Sequence, residues 1–212
     1  MRKIFFATVF ALILSLQNFC GAAAAIESAT LNGNETLVYP IVHTGDAAVD
    51  KKINAAIVDE IERFVKEIHY SAQHDGYVVK GVYTNFEVPC NRAGNTVILS
   101  ILLTESSYNE GAAHPSTYKR ALNFNADTGE RMNWSYLTDI GSGNPNFTLE
   151  NVTKKLREKA ERENLYLFDE ALPLKSLPEE FYWDANLHVH LLFQQYEVGP
   201  YAIGIVDLDM DA

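Results

Sequence analysis

One stretch constrains this chain more than any other. From Gly45-Asp46 onward, Val49, Ile53, Ile57, Ile61, Phe64, Val65 and Ile68 recur at steps of three and four. Asp50, Lys51, Lys52, Asp59, Glu60, Glu62, Arg63, Lys66 and Glu67 fill the positions between. That period predicts a helix with a single apolar stripe, and such a stripe has to be buried on another element. The next residues supply that element. Tyr77 to Val88 and Thr96 to Thr104 have strand composition and are split by Pro89-Cys90-Asn91-Arg92-Ala93-Gly94. A loop is expected from Glu105 to Pro115, a strand from Thr117 to Asn125, and a tight turn at Asp127-Thr128-Gly129.

The second half repeats this layout without repeating the sequence. Trp134 to Ile140 reads as a short helical turn and Gly141 to Pro145 as a flexible loop. A second helix is expected over Phe147 to Glu163, with Leu149, Val152, Leu156 and Ala160 on one side. Residues 165–178 carry no clear period. Strands are expected at 181–183, 187–193 and 201–208. Before the first helix, residues 26–35 read as a loose leader and Thr36 to Val42 as a short strand, with Pro40 marking its end or an edge. Helices set apart from runs of neighbouring strands predict an α+β fold with mainly antiparallel sheet. We expect two small subdomains, 26–112 and 113–212, each a sheet covered by one long helix.

The first 25 residues predict the compartment. Arg2 and Lys3 precede an apolar run from Ile4 to Leu16, and Gly21-Ala22-Ala23-Ala24-Ala25 offers small residues for cleavage. The run is shorter than the roughly 20 residues a membrane-spanning helix needs. A cleaved signal peptide over 1–25 and an exported mature chain starting at Ile26 are therefore expected: periplasmic, envelope-associated or secreted. Cys20 raises lipidation as an alternative, not favoured because Phe19 precedes it. No transmembrane segment is expected after cleavage. Removal of Arg2 and Lys3 leaves 15 basic residues against 28 acidic ones, a net charge of −13 where the whole chain has −11. That surface repels nucleic acid and attracts cationic partners, or serves solubility alone. Cys90 is the one cysteine left, so no intramolecular disulfide is expected, and it reads as a small buried hydrophobe.

Three segments carry candidate chemistry. Ser107 to Pro115 contains Tyr108, Gly111 and His114, a sharply bent loop in which His114 is a candidate binding residue or simply a loop brace. Gln194 to Gly204 places Tyr196, Glu197, Pro200 and Tyr201 on a Gly-Pro turn between strands, either as exposed contact rings or as a packed corner. His188 and His190 share one strand face and would need a third ligand to hold zinc. No cofactor or metal is expected. No nucleophile elbow, zinc-protease helix, P-loop or dinucleotide glycine pattern occurs, so no catalytic residue is assigned.

Together these segments resemble the RsiV-like extracytoplasmic domain family. Tyr108 and Gly111-Ala112-Ala113-His114 resemble its Tyr-x-Gly-Gly-Ala-His signature, with Ala112 replacing the second glycine. Phe124 to Glu130 resembles the strand and Thr-Gly turn of that family, and Trp134 to Ile140 its short Asp-containing turn. Tyr196-Glu197-Val198-Gly199-Pro200-Tyr201-Ala202-Ile203-Gly204 resembles its Tyr-Glu-Ile-Ala-Pro-Tyr-Ala-x-Gly hallmark. The strand at Tyr39-Pro40 and the helix after it look like the companion N-terminal domain seen ahead of PdaC-type peptidoglycan deacetylases. The resemblance implies a non-catalytic cell-envelope module that captures lysozyme or a similar cationic wall-active protein. Binding of peptidoglycan strands is the alternative, and a metal-dependent wall hydrolase using His114, His188 and His190 a remoter one. Neither the anti-sigma role nor the deacetylase activity is implied, because the segments that carry them have no counterpart here.

Overall fold

The computed structural model describes residues 22–139 and 145–211; residues 1–21 of the expected 1–25 signal peptide, and most of the expected 141–145 loop, lie outside them. The elements run β1 Ala25–Thr30, β2 Val38–His43, α1 Ala47–Asp75, β3 Val79–Asn91, β4 Ile98–Asn109, β5 Ser116–Asn125, α2 Trp134–Asp139, α3 Leu149–Glu163, β6 Glu180–Trp183, β7 Val189–Phe193 and β8 Val206–Asp209. The fold is α+β, with sheets β1-β2, β3-β4-β5 and β6-β7-β8, all antiparallel.

Helix α1 forms where the period places it. Asp46 caps it by accepting from the Ala48 and Val49 N–H groups at 2.8 and 3.2 Å, which satisfies two otherwise orphaned donors. Gly76 closes it in the left-handed region. Ile53, Ile57 and Ile61 are fully buried against Leu99, Ile101, Leu103, Leu122 and Phe124 of the β3-β4-β5 sheet. Each such side chain contributes about 1.5–3 kcal/mol through burial. The helix outruns the expected 46–68 span: its buried residues stop at Phe64, yet it continues for three more turns to Asp75.

Three expectations need correction. Residues 25–30 are not a loose leader but a strand, paired with β2 from Ala25↔His43 to Thr30↔Val38. Only Ile26 and Ala29 are partly buried, three residues apart, so no alternating pattern marks the strand. Residues 105–109 are the end of β4 and not a loop. The side chains that turn inward there are Glu105 and Ser107, both polar, which hid the strand. Residues 201–203 form a single helical turn, and the last strand starts only at Val206. The expected 112–113 division falls in the turn between β4 and β5, two strands of one sheet paired from Ile98↔Asn125 to Ser107↔Ser116. The first helix-covered sheet therefore reaches Asn125.

The second sheet buries one face under α3. Val152 and Leu156 pack with Phe181, Trp183, Leu191, Phe193 and Leu208, and Cys90 joins this core fully buried. Burial pushes the Cys90 thiol above its ordinary value, as fits a packing residue. The other face meets the back of the first sheet through Leu102, Ala121, Tyr182 and Leu192.

A polar seam fixes the two sheets together. Ser100 Oγ donates to Asn123 Oδ1 at 2.7 Å and accepts the Trp183 N–H at 3.1 Å, while Asn123 Nδ2 donates to the Phe181 carbonyl at 2.7 Å. The β5 edge is capped by side chains from the second half: Glu180 accepts the Ala121 N–H, Gln194 the Lys119 N–H, and Gln195 the Thr117 N–H, at 2.7, 3.0 and 3.1 Å. Covering an edge in this way also denies it to a stray strand. Arg120 stands at the centre, with Glu180 at 3.1 Å, Glu105 at 3.6 Å and Glu60 at 3.7 Å. Glu60 also pairs with Arg63 on its own helix.

Glu105 has a consequence for stability. It is 1 % exposed. Burial first, then the charge of Glu60, push its carboxyl up to about 8, while Arg120 and Arg63 pull it down and Glu180 pushes it up. The folded chain holds this proton more tightly than the unfolded one, so its contribution is complete below the ordinary value of 4.5, erodes as pH rises toward 8, and is gone above. Glu105→Gln is expected to match the parent near pH 5, to be the more stable of the two at pH 9, and to show a flatter melting-temperature profile between. Parallel profiles would contradict this.

Candidate functional site

The two motif segments meet. The β4–β5 turn is held by Tyr108, whose hydroxyl donates to the Ala112 carbonyl at 3.2 Å, and by Gly111 at φ +78°. His114 follows and reaches the 194–204 turn. Its ring stacks on Tyr201, with centroids 3.5 Å apart and planes at 15°. Its Nε2 lies 3.1 Å from the Tyr196 hydroxyl, and its Nδ1 lies 3.1 Å from the Pro115 carbonyl. With the imidazole neutral, Nδ1–H donates to that carbonyl and Nε2 accepts the Tyr196 proton. Tyr196 and Tyr201 are themselves 6.1 Å apart.

Gln194 and Gln195 make this meeting possible. The Gln194 amide bonds both the N–H and the carbonyl of Lys119, at 3.0 and 2.8 Å, and Gln195 holds Thr117. Both lie just before Tyr196, so the turn is pinned to β5, the strand that follows His114. These anchors were not foreseen, since two adjacent glutamines have no spacing signal. The turn itself is tightly specified. A Cβ on Gly199 would come within 2.6 Å of the Tyr166 carbonyl oxygen and 2.4 Å of Ile203 Cδ1. Gly204 sits at φ +70°, ψ −152°, a region open essentially to glycine alone.

The remaining expected residues hold the turn and do not join the ring cluster. Glu197 Oε2 accepts the Gln194 N–H at 2.7 Å. Pro200 starts the 201–203 helical turn, its carbonyl accepting from Ile203 at 3.0 Å. Tyr196 is 54 % exposed and Tyr108 37 %, so the cluster presents aromatic surface outward.

His188 and His190 have other partners. His188 Nδ1 lies 3.2 Å from Asp209, and His190 Nδ1 lies 2.8 Å from Asp207 with Tyr182 stacked on the ring. Burial lowers the proton affinity of His190, but the Asp207 hydrogen bond and the charges of Asp207, Asp209 and Asp184 outweigh it, leaving its value raised. Among the described residues no three His, Cys, Asp or Glu side chains are placed to hold a metal ion. His114, with its tyrosines, shares no partner with these two histidines.

Comparison with known proteins bears on the second half. Residues 139–211 match the family described as "Protein of unknown function (DUF3298)". No curated protein matches the chain. A crystal structure of a DUF3298 family protein from Pseudomonas aeruginosa is similar over 88 % of each chain, with 13 % identity and a TM-score of 0.53, and speaks to the fold alone. Another, a member of the same family from Bacteroides fragilis, covers 90 % of each chain at 19 % identity and a TM-score of 0.49. No described helix is long and apolar enough to cross a membrane. Helix α3, strands β6 to β8 and the whole Tyr196–Gly204 turn lie within the residues that match this family model.

Proposed function

We propose that this chain is a non-catalytic, exported module of the cell envelope that grips a cationic protein of the lysozyme type through the His114–Tyr196–Tyr201 face. One observation carries this reading: segments 82 residues apart are brought together into an outward-facing aromatic cluster on a rigid, doubly anchored turn. Rigid tyrosines supply large contact area at little entropic cost, which is how anchor residues of interfaces work. The charge of −11 on the whole chain adds attraction for a basic partner. The resemblance of the 108–115 and 196–204 segments to the RsiV-like family supports the same partner class and the envelope location, in which residues 1–25 serve as the export signal.

The test is binding of purified lysozyme, read by interferometry at low and moderate salt. Binding is expected at both, several-fold weaker at the higher salt. Tyr201→Ala should raise Kd by about 30-fold, the loss of a central anchor worth about 2 kcal/mol. Absence of binding at either salt removes the reading. Peptidoglycan remains the second candidate because the Tyr196 ring is open to stacking; sedimentation with purified sacculi in the absence of any protein partner distinguishes it.

A further inference from the structure

His190 sits where three strands meet. It lies on β7, its ring stacks on Tyr182 of β6 with centroids 4.6 Å apart and planes at 20°, and its side chain is 15 % exposed. Nδ1 lies 2.8 Å from Asp207 of β8, whose other carboxylate oxygen accepts the Tyr182 hydroxyl at 2.6 Å. Nε2 lies 3.7 Å from Asp184 Oδ2, in the turn that joins β6 to β7, and has no hydrogen-bond partner among the described residues. Asp184 is fixed in place, because its Oδ1 accepts the Asn186 and His188 N–H groups at 2.8 and 2.9 Å. A neutral imidazole has one proton, which Asp207 takes at Nδ1; the bare Nε2 lone pair would then face a carboxylate oxygen. A charged ring suits both sides, with Nδ1–H toward Asp207, Nε2–H toward Asp184 and its charge against the Tyr182 ring. Farther out, Asp209 of β8 adds negative charge while pairing with His188 at 3.2 Å, and Glu87 of β3, itself paired with Lys119 of β5, acts on Tyr182. Strand β8 depends most on these contacts. It is four residues long and pairs with β7 alone in its sheet. The 194–204 turn connects these two strands and is closed at Phe193↔Val206.

We propose that a second proton on the His190 ring latches β8 to the rest of its sheet and steadies the 194–204 turn, and that losing this proton loosens both. The bearing of the latch on gripping rests on the binding reading above; the latch itself does not. Burial works against the charged ring, but the Asp207 hydrogen bond and the charges of Asp207, Asp209 and Asp184 leave its value raised. The folded chain therefore holds the proton more tightly than the unfolded one. The latch is complete below the ordinary value of 6.5 and is lost as pH rises through the raised one.

The test is hydrogen exchange of the chain without any partner, corrected for the intrinsic pH dependence of exchange. Glu105→Gln serves as the background, so that the buried carboxyl adds no titration of its own. Protection in peptides covering 196–210 is expected to fall about tenfold between pH 6 and pH 9 while α1 keeps its protection. His190→Gln should remove this pH dependence, and Asp184→Asn should shrink it because Nε2 then faces a neutral amide. The titration of the ring itself, followed by imidazole carbon shifts in the unsubstituted chain, should have its midpoint above 6.5 and decides the matter should His190→Gln fail to fold. A midpoint at or below 6.5, protection that ignores pH, or an equal fall in His190→Gln would overturn the inference. A fall in protection without lysozyme binding leaves the latch standing and removes the binding reading. Lysozyme binding with flat protection does the reverse.

Discussion

Replacing Arg120 with alanine is expected to lower the unfolding free energy by about 3 kcal/mol at neutral pH and the melting temperature by roughly 6–12 °C for a chain of this size. The reason lies in what it leaves behind. Arg120 faces Glu60 from α1, Glu105 from β4 and Glu180 from β6. Without it, Glu60 and Glu180 lose a shared cation, with Arg63 and Arg131 left nearby, and Glu105, largely protonated at this pH, loses the positive charge that holds its value down. An isolated exposed ion pair would be worth less than about 1 kcal/mol, but the side chain here is 28 % exposed and joins both halves. Combining Arg120→Ala with Glu105→Gln should recover more of the loss at pH 9 than at pH 7, because Glu105 is largely protonated at the lower pH. Urea unfolding of the three variants checks this; a loss below about 1 kcal/mol would show that the cluster is ornamental.

Phe193→Ala should cost more, about 4 kcal/mol. Phe193 is fully buried in the core beneath α3 and directly precedes Gln194. Its removal opens a cavity in the second core and loosens the root of the turn that carries Tyr196. Phe193→Leu keeps most of the volume and should cost about 1 kcal/mol. Reading both variants by unfolding and by lysozyme affinity separates the effects: the alanine variant should lose affinity beyond its fraction unfolded, the leucine variant should not. Equal stabilities would contradict the packing described.

How much of this was legible from residues alone follows from where each feature's information resides. Helix α1 was legible as far as Ile68 because Ile53, Ile57 and Ile61 repeat within one local segment that Asp46 opens; its last turns bury nothing and so carry no period. Strand β1 and the end of β4 were not, because their inward residues are few or polar, as Glu105 and Ser107 are. The seam was illegible altogether. It consists of hydrogen bonds between Glu180, Gln194 or Gln195 and the backbone of β5, residues 59 to 78 positions apart. The convergence of His114 with Tyr196 and Tyr201 was not legible, since no spacing rule links a loop at 114 to a turn at 201. His188 and His190 illustrate the opposite case: a shared strand face was expected, but only His190 lies in β7, His188 just precedes it, and Asp209 and Asp207 each take one ring.

Hydrogen–deuterium exchange of the chain with and without lysozyme probes most directly whether one surface built from two distant segments does the gripping. Slowed exchange is expected in peptides covering 108–117 and 194–204 together, reduced in concert by Tyr201→Ala. Protection of one segment without the other, or of neither, would contradict the account.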